Sequence, residues 1–215
     1  AGVVNGDGDF GTFGTNGAYL IGVINNSFEP VTAQAWYYNL ESLATAYWLQ
    51  ADLKMAGIMA GVQYTSATVN DGDASGTVAG MLGYKMEDVF AAKVAFSQTS
   101  DKGDLHGSNA ATSTGASKLY TETWWGGNYG NVTALDTSAI KFCASTPANG
   151  IADLAVHFTT VDNAAADSDL TELAITASKS FGPLDTTLAI INTTDDAKND
   201  GDAINAVQAY LTLNF

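Results

Sequence analysis

The feature that most restricts what this chain can fold into is an alternation of apolar and polar residues with period two, held over runs of roughly nine to twelve residues. Phe90, Ala92, Val94 and Phe96 alternate with Ala91, Lys93, Ala95 and Ser97. Ala152, Leu154, Val156 and Phe158 alternate with Asp153, Ala155, His157 and Thr159. At the C-terminus Val207, Ala209, Leu211, Leu213 and Phe215 share one face, opposite Gln208, Tyr210, Thr212 and Asn214. Successive side chains of a strand point to opposite faces, so each such run is a strand with one apolar and one polar side. The pattern predicts about eleven strands, at 18–25, 30–38, 43–52, 56–67, 76–85, 88–98, 138–145, 149–161, 169–180, 184–193 and 203–215. Strands of soluble sheets are commonly ~5–6 residues long, whereas a tilted strand of ~10 crosses a bilayer. The expected fold is therefore all-β, an antiparallel transmembrane β-barrel. A soluble β-sandwich would alternate too, but with shorter strands and a more highly charged polar face.

The connections support the barrel. Segments 68–75, 99–137, 162–168 and 194–202 are long and polar, while 53–55, 86–87, 146–148 and 181–183 are short, and the two kinds alternate. Outer-membrane barrels have this arrangement, with long external loops and short periplasmic turns. No internal repeat or linker divides residues 1–215, which read as one barrel unit. A twelfth strand over 117–125 is the alternative count. With eleven, the first strand starts at the external face, which is the wrong side for a barrel with an even strand number. The chain is accordingly expected not to close alone, with a further N-terminal segment of the same polypeptide supplying strands that pair with strands 18–25 and 203–215. The opening at Ala1, without a charged and apolar leader, reads as a chain whose signal peptide is gone.

Charge narrows the function. There are 23 Asp and Glu against eight Lys and no Arg, for a net charge of −15. Such a chain lacks the cations that displace phosphate counterions, so nucleic acid is excluded as a partner. Most carboxylates fall in the long connections and in residues 1–17, leaving the strands nearly uncharged. The longest uncharged stretch, Phe10 to Phe28, is interrupted by Gly, Asn and Thr and is no transmembrane helix. Cys143 has no second cysteine to pair with. Enzymatic constellations are scarce. The His residues are His106 and His157, and Asp153 lies four residues from His157 along a strand, roughly 13 Å, beyond hydrogen-bond reach. No G-x-S-x-G is present. The chain is not expected to be an enzyme.

By parity, Lys93, Lys141, Asp153, His157, Glu172, Gln208 and Tyr210 are the expected pore-lining residues. Glu122 joins them for a different reason. It lies between Tyr120 and the Trp124–Trp125 pair in a loop too long to be merely connective, and its aromatic setting points to a loop folded into the lumen. The turns NGDGD (5–9), NDGD (70–73) and NDGD (199–202) place carboxylates two apart, as calcium sites do, but Asp, Asn and Gly are also the favoured residues of a solvated turn, which is the preferred reading. Aromatic residues near the strand ends, among them Trp36, Tyr37, Tyr47, Trp48, Phe90 and Phe181, read as interfacial girdles.

The ending AYLTLNF (209–215) is similar to the assembly signal of bacterial outer-membrane barrels, and KLYTETWWGGNYG (118–130) resembles a segment of the major outer membrane porins of Campylobacter and its relatives. This resemblance implies a homotrimer of about eighteen strands per chain, of which this chain would be the C-terminal part. It also implies an acidic calcium site near the constriction, to which Glu122 is the residue carried over. The family places an Arg there. This chain has none, so either a Lys such as Lys141 or Lys179 substitutes or the charge balance of the constriction differs. The resulting expectation is a cation-selective outer-membrane porin that passes small hydrophilic solutes by passive diffusion and is surrounded by outer-membrane lipid and lipopolysaccharide. The alternative is a non-channel surface protein or adhesin with acidic, calcium-binding loops.

Overall fold

A computed structural model describes residues 2–4, 10–12, 17–41, 43–103, 116–148, 150–198 and 201–215. A short hairpin, β1 (Gly2–Val4) and β2 (Phe10–Thr12), precedes the main sheet. The sheet comprises β3 (Ala18–Phe28), β4 (Val31–Leu40), β5 (Ala44–Met55), β6 (Ile58–Val69), β7 (Ala74–Met86), β8 (Phe90–Thr99), β9 (Thr137–Ala148), β10 (Ala152–Asn163), β11 (Ser168–Phe181), β12 (Leu184–Asp195) and β13 (Ile204–Leu213). These eleven strands form one antiparallel meander in chain order, with β3 and β13 at its two edges. No helix among the described residues is long and apolar enough to cross a membrane.

All eleven strands lie where the alternation places them, and several run further. β7 and β11 reach 13 and 14 residues, so the connections 70–73 and 164–167 are tighter than the polar segments suggested. The ladder continues because main-chain hydrogen bonds need no apolar side chain. The contrast between the two ends of the sheet therefore rests chiefly on the segments after β8 and β12. Residues 117–125 are irregular, with a turn at 120–121, and do not form a twelfth strand. NGDGD, His106 and part of the second NDGD lie outside the described residues.

Register gives the sheet two unlike faces. Val62, Val78, Leu82, Val94, Ile140, Ile175, Leu188 and Val207 point outward and are exposed, as a face that meets lipid requires. The inward face carries Gln34, Gln50, Gln63, Thr65, Thr77, Ser97, Lys141, Thr159, Glu172 and Thr193 in consecutive register. Trp36 and Trp48 belong to this inward set. Trp48 is fully buried with Leu119, Val132, Val161 and Leu170, so these two indoles are part of the interior and not of an interfacial girdle. Parity decides it, because each indole Nε1 donates to a glutamine two residues away on the same face, Gln34 or Gln50.

The sheet curls. If flat, it would hold β5 and β13 about 38 Å apart, at eight spacings of ~4.8 Å. Yet Tyr120 donates to Asp52 on β5, and Trp124, only four residues on, meets Tyr210 of β13 with ring centroids 5.5 Å apart.

Candidate functional site: a loop seated across the inward face

From residue 116 onward the connection from β8 to β9 crosses the inward face of the sheet, with two short 3₁₀ turns at Gly126–Asn128 and Asn131–Thr133. Its first hold is on β5 and β6. Gln63 donates to the carbonyl of Lys118 at 3.1 Å and accepts from the Tyr120 N–H at 2.9 Å, an exchange that engages both ends of one amide. The Tyr120 hydroxyl donates to Asp52 Oδ1 at 2.6 Å, and Gln50 donates to the other Asp52 oxygen at 2.6 Å. Space for the phenol comes from Gly61, where a Cβ would overlap Tyr120 Oη and stand 2.9 Å from Asp52 Oδ1. Burial raises the Tyr120 phenol pKa well above its ordinary value, and Asp52 adds to the shift, so the group remains a donor. Tyr129 is raised as well, by burial first and then by Tyr210, Glu122 and Glu172.

On β8, Ser97 and Thr121 share a hydrogen bond of 2.6 Å, and Thr99 donates to the Val132 carbonyl at 3.3 Å. Lys141 of β9 donates through Nζ to the Glu122 carbonyl. On β11, Glu172 accepts from the backbone N–H of Trp124 at 2.5 Å and of Trp125 at 3.3 Å, and from Asn128 Nδ2 at 2.9 Å. Asn128 Nδ2 also donates to Thr193 Oγ1 on β12 at 3.0 Å. Trp124 faces His157 of β10, with ring centroids 6.3 Å apart.

Glu122 organises the loop itself. Its carboxylate accepts from the Ser117 N–H at 2.5 Å, from the Thr123 N–H at 3.0 Å and hydroxyl at 3.2 Å, and from the Gly130 N–H at 3.3 Å. Gly130 sits at φ 85°, in the left-handed region, where glycine has no steric cost. Glu122 and Glu172 are 8% and 1% exposed. Neither has an ion-pair partner, the described salt bridges being Lys85–Glu87 and Lys198–Asp195. N–H dipoles hold the two charges, and such charge-assisted hydrogen bonds are about twice as strong as neutral ones.

The expected pore-lining residues Lys93, Lys141, Asp153, His157, Glu172, Gln208 and Tyr210 share the inward face. Lys93, Cys143 and His157 form one cross-strand row, Lys141, Thr159 and Glu172 the next, and Asp153 and Tyr210 a row nearer the short turns. The loop gathers Lys141, Glu172, His157 and Tyr210 around itself, and the Tyr210 hydroxyl donates to Gln208. Asp153 stays exposed near the rim. Lys179 does not belong to this set. It lies on the outward face, donates to the Gly150 carbonyl and sits 5.6 Å over the Phe181 ring, so it cannot stand in for a constriction Arg. Among the described residues, no group of three or more His, Cys, Asp or Glu side chains converges on one point, and a cation at Glu122 would have to displace the N–H donors.

No family model and no curated protein matches the chain. Solved structures do. The chain superposes on Pseudomonas aeruginosa OpdO (OccK3) with a TM-score of 0.73 at 13% identity, covering 99% of this chain and 63% of that one. For OpdL of the same organism the TM-score is 0.69 at 12% identity, covering 91% and 58%, and for OccK11 (OpdR) it is 0.68 at 13%, covering 91% and 57%. The fold is that of an outer-membrane porin barrel. The chain spans less than two thirds of the length of these solved porins.

Within this porin fold, sequence reasoning passed over Asp52, Gln63, Tyr120 and Asn128 as functional residues. Parity was a usable signal for Asp52 and Gln63, which share the inward face with Gln50 and Trp48. Asn128 carried no signal, because its partners are Glu172 and Thr193, 44 and 65 residues away.

Proposed function

We propose that this chain forms most of the wall and the constriction loop of a diffusion porin that passes small hydrophilic solutes through the outer membrane. The observation that carries this reading is the seating of residues 116–136 across a polar inward face while the other face of the same strands is apolar. The mechanism is passive: side chains such as Lys93, His157, Gln208 and Tyr210 solvate a water-filled lumen that the loop narrows. Its kinship is with the major outer membrane porins of Campylobacter, its surroundings are outer-membrane lipid and lipopolysaccharide, and its assembly is a homotrimer. The edge strands β3 and β13 each pair on one side only in the described sheet, which suits a barrel completed by about seven further strands of the same polypeptide. Cation preference arises at the loop end of the sheet, where Asp71, Asp73, Asp101, Asp167, Asp196 and Asp202 are exposed and raise the local cation concentration. The carboxylates of Glu122 and Glu172 are taken up by N–H donors and add little to it. Recordings of the purified protein in planar bilayers test the proposal. Discrete conductance steps, with solute-size-dependent swelling of liposomes, are expected; an electrically silent protein in both assays would overturn it.

A further inference from the structure

We propose that Glu172 is a positioning residue of the channel: it locks the constriction loop to the wall, while Glu122 locks the loop to itself, and together they set a fixed aperture. The inference rests on the channel reading above. Everything that meets these two carboxylates is a donor. Glu122 takes the N–H groups of Ser117, Thr123 and Gly130, which closes a stretch of 14 residues on one side chain. Glu172 takes Trp124 N–H, Trp125 N–H and the Asn128 amide. A carboxylate offers lone pairs only, whereas an amide in its place would turn an NH₂ toward other N–H groups. Glutamate is therefore the side chain that can receive all of these donors at once. Lys141 ties the two clamps, since it stands in the same cross-strand row as Glu172 and donates to the Glu122 carbonyl. The hold extends into β12, where Thr193 receives Asn128 and donates onward to the Thr171 carbonyl at 3.0 Å.

A clamp and a pore-lining charge make different demands. Were Glu172 a selectivity charge, its carboxylate would need to see the solute. It is 1% exposed, beneath Trp124 and Trp125. Its effect on transport must then pass through the loop. Removing hydrogen bonds to a charged acceptor shifts the ratio of seated to unseated loop by at least about tenfold.

The test is single-channel recording of the protein purified from outer membranes, comparing wild type, Glu172→Ala and Glu172→Gln. Glu172→Ala is expected to flicker between conductance levels, with occupancy of the seated level reduced relative to unseated by about tenfold. Glu172→Gln, which keeps one acceptor oxygen, should fall between Ala and wild type. The reversal potential in a salt gradient should be the same in all three. Glu122→Ala supplies an independent arm and should also flicker. Heat-modifiable electrophoretic mobility reports that each variant has formed its barrel, so that flicker is read from folded channels. Steady traces from folded Glu172→Ala that superimpose on wild type would overturn the proposal. So would a shifted reversal potential without flicker, equal in Ala and Gln, which marks a lining charge instead. If the channel reading itself is at fault, wild type carries no current, an outcome distinct from either.

Discussion

Along β8, Val94 and Phe96 face outward, each 48% exposed, whereas Ser97 and Thr99 on the inward face are 0% and 1% exposed beneath the loop. In a water-soluble sheet these values would be reversed. The difference teaches that burial and hydrophobicity are separate quantities in this molecule. The outward face is apolar because its solvent is hydrocarbon, and it needs no protein partner. The inward face is polar because its solvent is water. Where the loop covers its residues, most hydroxyls and amides find specific partners, as Ser97 does with Thr121 and Gln63 with Tyr120, while among the described residues Thr159 Oγ1 and Asn128 Oδ1 are buried without one. The outward face tolerates variation in shape and rejects charge, while the covered inward face tolerates charge and rejects misfit.

The most severe test of that contrast is Val94→Lys. A lysine near the bilayer midplane on the lipid side of a barrel is expected to cost ~2–4 kcal/mol, read by urea titration of folding into lipid vesicles. Neutralising its neighbour by Lys93→Gln should stay within ~0.5 kcal/mol; equal losses for the two would erase the distinction between faces. Next comes Gly61→Ala. The added methyl group overlaps Tyr120, and an overpacked site of this kind costs ~1–3 kcal/mol. Gly80→Ala is the matched control, because its Cβ would meet only Gly61 O at 3.9 Å.

Smaller effects sharpen the loop side. Tyr120→Phe removes the bond to Asp52 and should cost ~1 kcal/mol. The raised phenol pKa means that the protonated form is the one the fold stabilises, so this contribution is complete below the ordinary value of 10.0 and fades only as pH climbs beyond it. The Phe variant should lose that alkaline dependence, which a melting series across alkaline pH would reveal. Cation preference, being a property of the exposed rim, should weaken in reversal-potential measurements as salt rises, because the Debye length falls from ~10 Å at 0.1 M to ~3 Å at 1 M. Least of all, chelating calcium should leave conductance unchanged, since N–H donors already occupy the Glu122 lone pairs; a chelator-sensitive aperture would restore the calcium site implied by the porin resemblance.

The barrel wall was legible in the sequence because each strand states its own register. Alternation at Phe90–Ser97 or Ala152–Thr159 is a local property, and strand length reports on the bilayer without reference to any partner. Parity likewise put Glu172, Lys141 and His157 on one face. Glu122 could be singled out by its aromatic neighbours, but the nature of its bonds could not, because backbone N–H groups leave no mark in composition. Trp36 and Trp48 look like girdle residues by their position along a strand, whereas parity places them on the inward face. The partnership of Glu172 with Trp124 and Asn128 was out of reach altogether, since it depends on how strongly the sheet curls, and nothing local encodes curvature.

The loop's attachments also carry a statement about time. Tyr120 meets Asp52 across 68 residues and Gln63 across 57, both earlier in the chain, while Trp124 meets Glu172 across 48 and Asn128 meets Thr193 across 65, both later. Each hairpin of the wall can form from adjacent segments with little chain entropy to lose, but closing loops of this size must wait until both flanks exist. The seat is incomplete until β12 has joined β11. The seat of the loop is therefore expected to order only after the strands on both of its flanks, from β5 to β12, are in place.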